Sequence, residues 1–340
     1  MKDSSCRTLL LAALAAAVLL GGCGKSSEPQ AAAGAAPALE KFRLQLDWYP
    51  VAEHGGYFEA LVKGYYRDAG LDVTILSGGP GAFPVAAVGT GHVEMALGTC
   101  DDAILAVRQG LPLLIVGAQM EHDPQAVMVH ADDSVKAFPD LNGRSVMALP
   151  AAHWVAYVQA HYKIQFNTIP MDYGMGQFFA NKTFIQQCFI SSEPYYAEMQ
   201  GVKTRTLLVA SGGYDPYRVI FTSRAYAASH PAAVRAFVAA SIRGWREYLH
   251  GDAAAARAKI QGENPAQTTP LMDYSIDTLK RYQLVEGDPA KGERLGLITP
   301  ARMTTLVNTL VDLRLLDAPL PLDRFVSFDF LPADLASAAK

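Results

Sequence analysis

Between Phe42 and Ser223 the apolar residues switch back and forth between two periods. FRLQLDW (42–48) places apolar side chains at alternate positions, as a half-buried strand does. Gly55 to Arg67 reads as a helix that Gly70 ends. LDVTIL (71–76) is the next strand, Pro84 to Val88 a short helix, VEMALG (93–98) a strand and DDAILAVRQG (101–110) a helix. LPLLIVGA (111–118) is apolar throughout, as a strand covered on both faces is. Such alternation builds an α/β fold with a mainly parallel sheet. A second set follows: AVMVH (126–130), RSVMAL (144–149), NTIPM (167–171) and FIQQCFI (184–190) as strands, HWVAYVQAHY (153–162) as a helix, then RTLLVA (205–210) and RVIFTS (218–223) as strands. Beyond Pro231 the pattern is mostly helical, with helices expected over VRAFVAASIRGWREYL (234–249), Ile276 to Leu284 and Pro300 to Leu316. Two α/β sets and a helical tail are compatible with sequential domains. They are equally compatible with a chain that crosses into a second lobe near Gln125 and returns near Arg218.

The amino-terminal residues set a compartment. Lys2 and Arg7 precede an apolar run from Leu9 to Leu20, shorter than the about 20 residues a spanning helix needs. The run reads as the core of a secretory signal peptide. Leu20-Gly21-Gly22-Cys23 is similar to a bacterial lipobox, which implies cleavage before Cys23 and lipid on that residue. Residues 1–22 are then a signal peptide, and 23–40, rich in Ala, Gly, Ser and Pro, a lipidated cysteine with a flexible tether. The expected location is the cell envelope, on the outer face of the cytoplasmic membrane or in the periplasm. Half of the 340 residues are hydrophobic and 18% are charged, with a net charge of −4. That excludes a disordered chain and offers no basic excess for nucleic acid. Four cysteines are too few for a disulfide scaffold.

Catalytic and metal motifs are missing from the sequence. There is no HExxH, CxxC, GxSxG or GxGxxG, and Gly24-Lys25-Ser26 lacks the earlier glycine of a phosphate loop, Leu19 standing there. No cofactor, metal or catalytic set is expected. Cys100 is followed by Asp101 and Asp102, and carboxylates raise a thiol pKa rather than activate it. Cys188 reads as a small buried hydrophobe. A Cys100–Cys188 disulfide would tie the two lobes and oppose hinge motion.

What remains is a set of aromatic and polar residues at strand ends, where open α/β sheets bind ligands and helix N-termini offer free N–H groups. Trp48, His54 and Tyr57 follow the first strand, and Thr99 and Asp101 follow VEMALG. Trp154, Tyr173, Gln177, Glu193 and Tyr195 follow strands of the second set. Converging on one cleft, they would suit a flat heteroaromatic ligand. Rings stack, at about 0.5–1.5 kcal/mol beyond the area buried, and carboxylates accept hydrogen bonds from ring amino groups. Each residue also has a structural reading. Trp48 and Trp154 could be core, Tyr57 could pack with Leu61, Glu193 could open a helix before Pro194, His54 could brace a turn, and Asp101 could cap a helix.

LDWYPVAEHGGYFEALVKGYYRDAGLDVTIL (46–76) resembles the opening of solute-binding proteins for thiamine-precursor pyrimidines and of the wider nitrate, sulfonate and taurine group. Leu46-Asp47-Trp48, Pro50, His54, Gly56, Ala60, Gly64-Tyr65 and Gly70-Leu71-Asp72-Val73 carry it. VGTGHVEMALGTCDDAILAVRQGLPL (88–113) and DLNGRSV (140–146) are similar to later segments of that group. The resemblance implies a two-lobe, periplasmic-binding-protein-like fold of type II. Lobe one would be 41–125 plus 219–340 and lobe two 126–218, each a mainly parallel sheet flanked by helices, with the ligand cleft between them. It also implies hinge closure on a small solute and delivery to an ABC permease in the membrane by a monomeric carrier. Trp48, His54, Thr99, Asp101 and Glu193 are the positions carried over. Val51-Ala52 stands where the family has Asn-Thr, and Tyr57 is added before Phe58. Riboflavin, nitrate or a sulfonate are therefore alternative solutes. A pyrimidine-metabolism enzyme on the same fold is the alternative activity, although the cysteine-rich run of the related synthases is absent.

Overall fold

The computed structural model describes residues 38–150 and 152–339. The expected signal peptide, Cys23 and the tether up to residue 37 lie outside them. The chain runs β1 (Glu40–Gln45), α1 (Gly55–Val62), α2 (Tyr65–Asp68), β2 (Leu71–Leu76), α3 (Pro84–Gly89), β3 (Met95–Thr99), α4 (Cys100–Arg108) and β4 (Leu113–Met120). It continues through β5 (Gln125–His130), β6 (Ser145–Ala148), α5 (His153–Tyr162), β7 (Asn167–Pro170), α6 (Gly176–Ala180), β8 (Ile185–Phe189), α7 (Glu193–Met199) and β9 (Thr204–Leu208). It ends with β10 (Arg218–Ser223), α8 (Arg224–Ser229), α9 (Pro231–His250), α10 (Ala254–Glu263), α11 (Thr269–Arg281), α12 (Pro300–Asp312) and α13 (Ala333–Ala338).

The strands form two five-stranded sheets, ordered β2-β1-β3-β10-β4 and β7-β6-β8-β5-β9. Each sheet is mainly parallel, four of its five strands sharing a direction, and is mixed by one strand that runs against them. β1 runs parallel to β2 and β3, and β6 to β7 and β8. β10 is antiparallel to β3 and β4, and β5 to β8 and β9. The reason is connectivity. β5 and β10 are the strands that enter one sheet directly from the other, so no crossover helix turns them back into the parallel direction.

β4 is buried along its whole length, as its unbroken apolar run requires. It stands at an end of its sheet, and the C-terminal segment covers that edge. Ile115 N–H donates to Phe325 O at 2.7 Å, and Ser327 N–H to Ile115 O at 3.0 Å. An edge strand left open would invite pairing with other chains.

The helix expected over 55–67 is broken into α1 and α2 at Gly64, whose φ of 76° an L side chain adopts at a cost. The helix expected from Ile276 begins earlier, at Thr269, because the Thr268 hydroxyl accepts from Leu271 N–H at 3.4 Å and Pro270 suits a first turn. α1 and α9 cross at glycines. A Cβ on Gly244 would sit 2.1 Å from the Gly56 carbonyl oxygen, and one on Gly56 would sit 2.2 Å from the Trp245 ring. This close approach buries Tyr57, which stacks toward Phe237 (6.3 Å) and meets Trp245 edge-on (6.0 Å).

Gly244→Ala is expected to destabilise the fold by at least about 2 kcal/mol, since the clash is with backbone that cannot rotate away. A thermal melt should show a clear drop, whereas Gly262→Ala, with open space at its Cβ, should not.

Candidate functional site

The two sheets are linked by two crossings, Glu121–Pro124 and Val209–Tyr217, and the carboxyl ends of β1, β3 and β8 face the same region. Arg218, the first residue of β10, is buried there. Its guanidinium donates to Asp47, beyond β1, and lies 3.5 Å from Asp123 on the first crossing. It also sits over the Phe189 ring at the end of β8, 5.4 Å from the centroid. One cation therefore contacts the first sheet, the crossing and the second sheet. Burial lowers its pKa to about 10, so it remains charged at neutral pH. His54 braces the same corner, its Nε2 2.9 Å from Asp47 Oδ1. Burial lowers its pKa to about 4. The neutral ring then shares the Asp47 carboxyl group with Arg218.

Around this cation the region is rich in buried acid. Glu53 accepts from the Ser191 hydroxyl of the second lobe. Asp101 accepts from the Tyr214 hydroxyl and, at 3.0 Å, from Asp102 N–H. Glu193 accepts from Phe189 N–H at 2.8 Å. Burial pushes all three carboxyls up, Glu193 to about 7; Asp102 adds to the rise at Asp101. Asp123 is raised to about 8 by burial, with Asp101 and Asp215 adding to it, while the hydrogen bond from Gln125 N–H pulls the other way. Loss of solvation disfavours the charged form of each.

Aromatic rings line the outer part. Trp48 of the first lobe meets Tyr173 of the second at 5.2 Å, tilted by 30°. Tyr49 packs edge-on against Trp48 at 5.4 Å. Tyr173 is half exposed and holds a left-handed backbone, φ 59°, which costs a non-glycine residue energy. Tyr195 approaches Tyr274 of α11 at 5.5 Å. The lobes also touch through His153 Nε2 and Asp102 Oδ1 at 3.2 Å, Ser275 Oγ to Ser191 O at 2.7 Å and Tyr274 hydroxyl to Ile190 O at 3.0 Å.

Of the residues singled out from sequence, Trp48, His54, Thr99, Asp101, Tyr173, Glu193 and Tyr195 lie at strand ends and helix starts along this junction. Three do not join them. Tyr57 is wholly buried in the α1–α9 core. Trp154 is buried inside the second lobe, its indole N–H bonded to Gln187 Oε1 at 3.0 Å and its ring near Phe166. Gln177 ties its own loop, donating to Asp172 Oδ2 at 2.9 Å. Glu193 has a structural duty as well, because its carboxylate reaches back to Phe189 N–H. Cys100 and Cys188 are free, and burial raises both thiols well above their usual value. Among the described residues no cluster of His, Cys, Asp and Glu is arranged to hold a metal ion.

Arg218, Asp123 and Tyr214 were not singled out. For Tyr214 and Arg218 the signal was the dense polar and aromatic run Tyr214-Asp215-Pro216-Tyr217-Arg218 at the return point between two strands, and for Asp123 the run Glu121-His122-Asp123 after an apolar strand.

The family model described as NMT1/THI5 like matches residues 51–255. A formylaminopyrimidine-binding protein of Halalkalibacterium halodurans is 33% identical over 109 residues, 32% of this chain and 33% of that protein. A 4-amino-5-hydroxymethyl-2-methylpyrimidine phosphate synthase of Saccharomyces cerevisiae, THI5, is 26% identical over 139 residues, 41% of this chain and 38% of that one. The matched segments thus span about a third of the length of these curated relatives. The periplasmic nitrate-binding protein NrtA from Synechocystis superposes with a TM-score of 0.64 at 13% identity, over 87% of this chain and 88% of that chain. The structural likeness fixes the fold as the two-lobe one of periplasmic binding proteins. With its model matching 205 of 340 residues, the chain belongs to the NMT1/THI5-like family.

Proposed function

We propose that the protein is the solute-binding component of an ABC importer, capturing a small planar nitrogen heterocycle, a thiamine-precursor pyrimidine above all. Residues 41–125 plus 219–340 form one jaw and 126–218 the other. Closure of the jaws delivers the solute to a membrane permease. The carrier is a monomer held in the cell envelope by lipid on Cys23.

The observation that carries this reading is the set of carboxyl side chains at the junction, whose oxygens accept hydrogen bonds whether or not they hold a proton. Glu53, Asp101, Asp123 and Glu193 gather there, while Arg218, the one buried arginine among the described residues, is already engaged by Asp47. Nitrate or a sulfonate would have to enter beside these acids with no free cation to receive it. An aminopyrimidine brings donors instead, and carboxylates accept them. Trp48 and Tyr173 stack on the ring, Asp101 and Glu193 accept from its amino groups, and Thr99, His54 and Tyr195 shape the wall. Tyr57 and Trp154 act through packing. Binding without turnover is favoured by Cys100, whose thiol is buried, raised in pKa and donates to Met303 Sδ at 3.4 Å, the opposite of an activated nucleophile.

Ligand-dependent melting tests the reading. A 4-aminopyrimidine at a hundredfold excess over its Kd is expected to raise Tm by about 5 °C, and riboflavin, taurine and nitrate to raise it little. Trp48→Ala should weaken pyrimidine binding at least tenfold, and the pyrimidine should be recovered with unchanged mass. A flat response to every heterocycle, or conversion of the pyrimidine, contradicts the proposal.

Stability should depend on pH through the same acids. Folded Glu193 keeps its proton to about pH 7, whereas an unfolded glutamate loses it near about 4.3. Its contribution is complete below the unfolded value and disappears as pH rises through 7. Tm is expected to fall between pH 5 and 8. Glu193→Gln, which still accepts from Phe189 N–H, should flatten that slope.

A further inference from the structure

The two crossings are also tied together by a second set of side chains, centred on His122, Asp215 and Arg302. His122 lies on the first crossing, its Nδ1 2.6 Å from Asp215 Oδ2 and its Nε2 3.0 Å from Glu293 Oε2. Asp215 belongs to the second crossing and also accepts from Asp123 N–H at 3.1 Å. Arg302, near the start of α12, donates to the carbonyl of Glu121 on the first crossing and to the carbonyl of Asp215 on the second, at 3.0 Å for the latter. It also bonds Asp215 Oδ2 at 2.9 Å and lies 3.9 Å over the Tyr217 ring.

We propose that His122 is a positioning residue, a proton-dependent clasp that holds the two crossings in the closed arrangement and so sets solute affinity. The geometry requires it. A ring with a carboxylate oxygen at hydrogen-bond distance from each nitrogen can satisfy both only as the imidazolium, a donor at each end. The neutral ring turns a lone pair toward one carboxylate, and that contact becomes repulsive. The charged groups around the ring are Asp215 on the second crossing, Glu293 before α12, Arg302 on α12 and the neighbouring Glu121. Burial works against the charge at His122 and Arg302 opposes it, yet Asp215 and Glu293 prevail and its pKa is raised. Burial pushes Glu121 up to about 9, so it holds its proton and leaves two cations facing two carboxylates. The clasp is complete below the ordinary histidine value of about 6.5 and is lost as pH rises through the raised one.

The affinity part rests on the solute-binding reading, whereas the clasp itself is read without solute. Small-angle scattering of the ligand-free full chain at pH 6 and pH 9 is expected to give the more compact profile at pH 6. His122→Gln should remove the difference, and His122→Lys should keep the compact profile at both. ¹³C-labelled histidine NMR of the wild type, with His122 assigned by its absence from the glutamine variant, should show a midpoint above the ordinary value. If the variants misfold, assignment through contacts to Asp215 in the wild type serves instead. Where a solute binds, its Kd should weaken with pH by about tenfold for each unit by which that midpoint is raised. Identical profiles at both pH values, an unchanged response in His122→Gln, or a midpoint at or below the ordinary value would overturn the clasp. A sound clasp in a protein that binds no heterocycle would overturn only the solute assignment.

Discussion

The structure turns on one buried guanidinium. Arg218 begins the strand that returns the chain to its first sheet, and it is held by Asp47 from that sheet, Asp123 from the outgoing crossing and the face of Phe189 from the other sheet. A charge this deep is tolerated only when it is paired and bonded. Its partners are therefore obliged to meet wherever the lobes meet. Removing one partner would leave the others with an uncompensated charge, so the corner behaves as a unit. His54 belongs to the unit through Asp47 rather than as a free imidazole.

Once that corner is formed, the rest of the junction follows. Arg218 is already committed to Asp47, and burial raises the pKa of the acids gathered beside it. On the proposed reading, a site of this kind suits a guest that supplies donors and a flat face. The fold is shared with a nitrate-binding protein, and fold likeness sets the jaws while side chains set what they hold. The proposed clasp around His122 ties the same two crossings together and meets the junction through Asp215 and Asp123, so it can bias closure.

Much of the fold was legible in the residues because period-2 and period-3.6 patterns leave little choice for strands such as LDVTIL and LPLLIVGA. Strand direction was not, since direction depends on where the chain comes from rather than on local pattern; hence the antiparallel β5 and β10. The break at Gly64 was visible as a glycine, yet its left-handed backbone was not. In the junction, Trp48, Asp101 and Glu193 could be found because strand ends in α/β sheets face ligands. Trp154 and Tyr57 satisfied the same rule of position, but the helices carrying them turn those rings inward. Arg218 escaped notice because a lone arginine at the start of an apolar strand carries no motif. Its importance comes from three contacts distant in sequence.

A crystal structure of the protein with 4-amino-5-hydroxymethyl-2-methylpyrimidine tests the central claim most directly. The account predicts the ring between Trp48 and the second lobe, its amino group on Asp101 or Glu193 and the Arg218–Asp47 pair intact beneath it. A pyrimidine bound elsewhere on the surface, or an anion seated on Arg218 with Asp47 displaced, would contradict it.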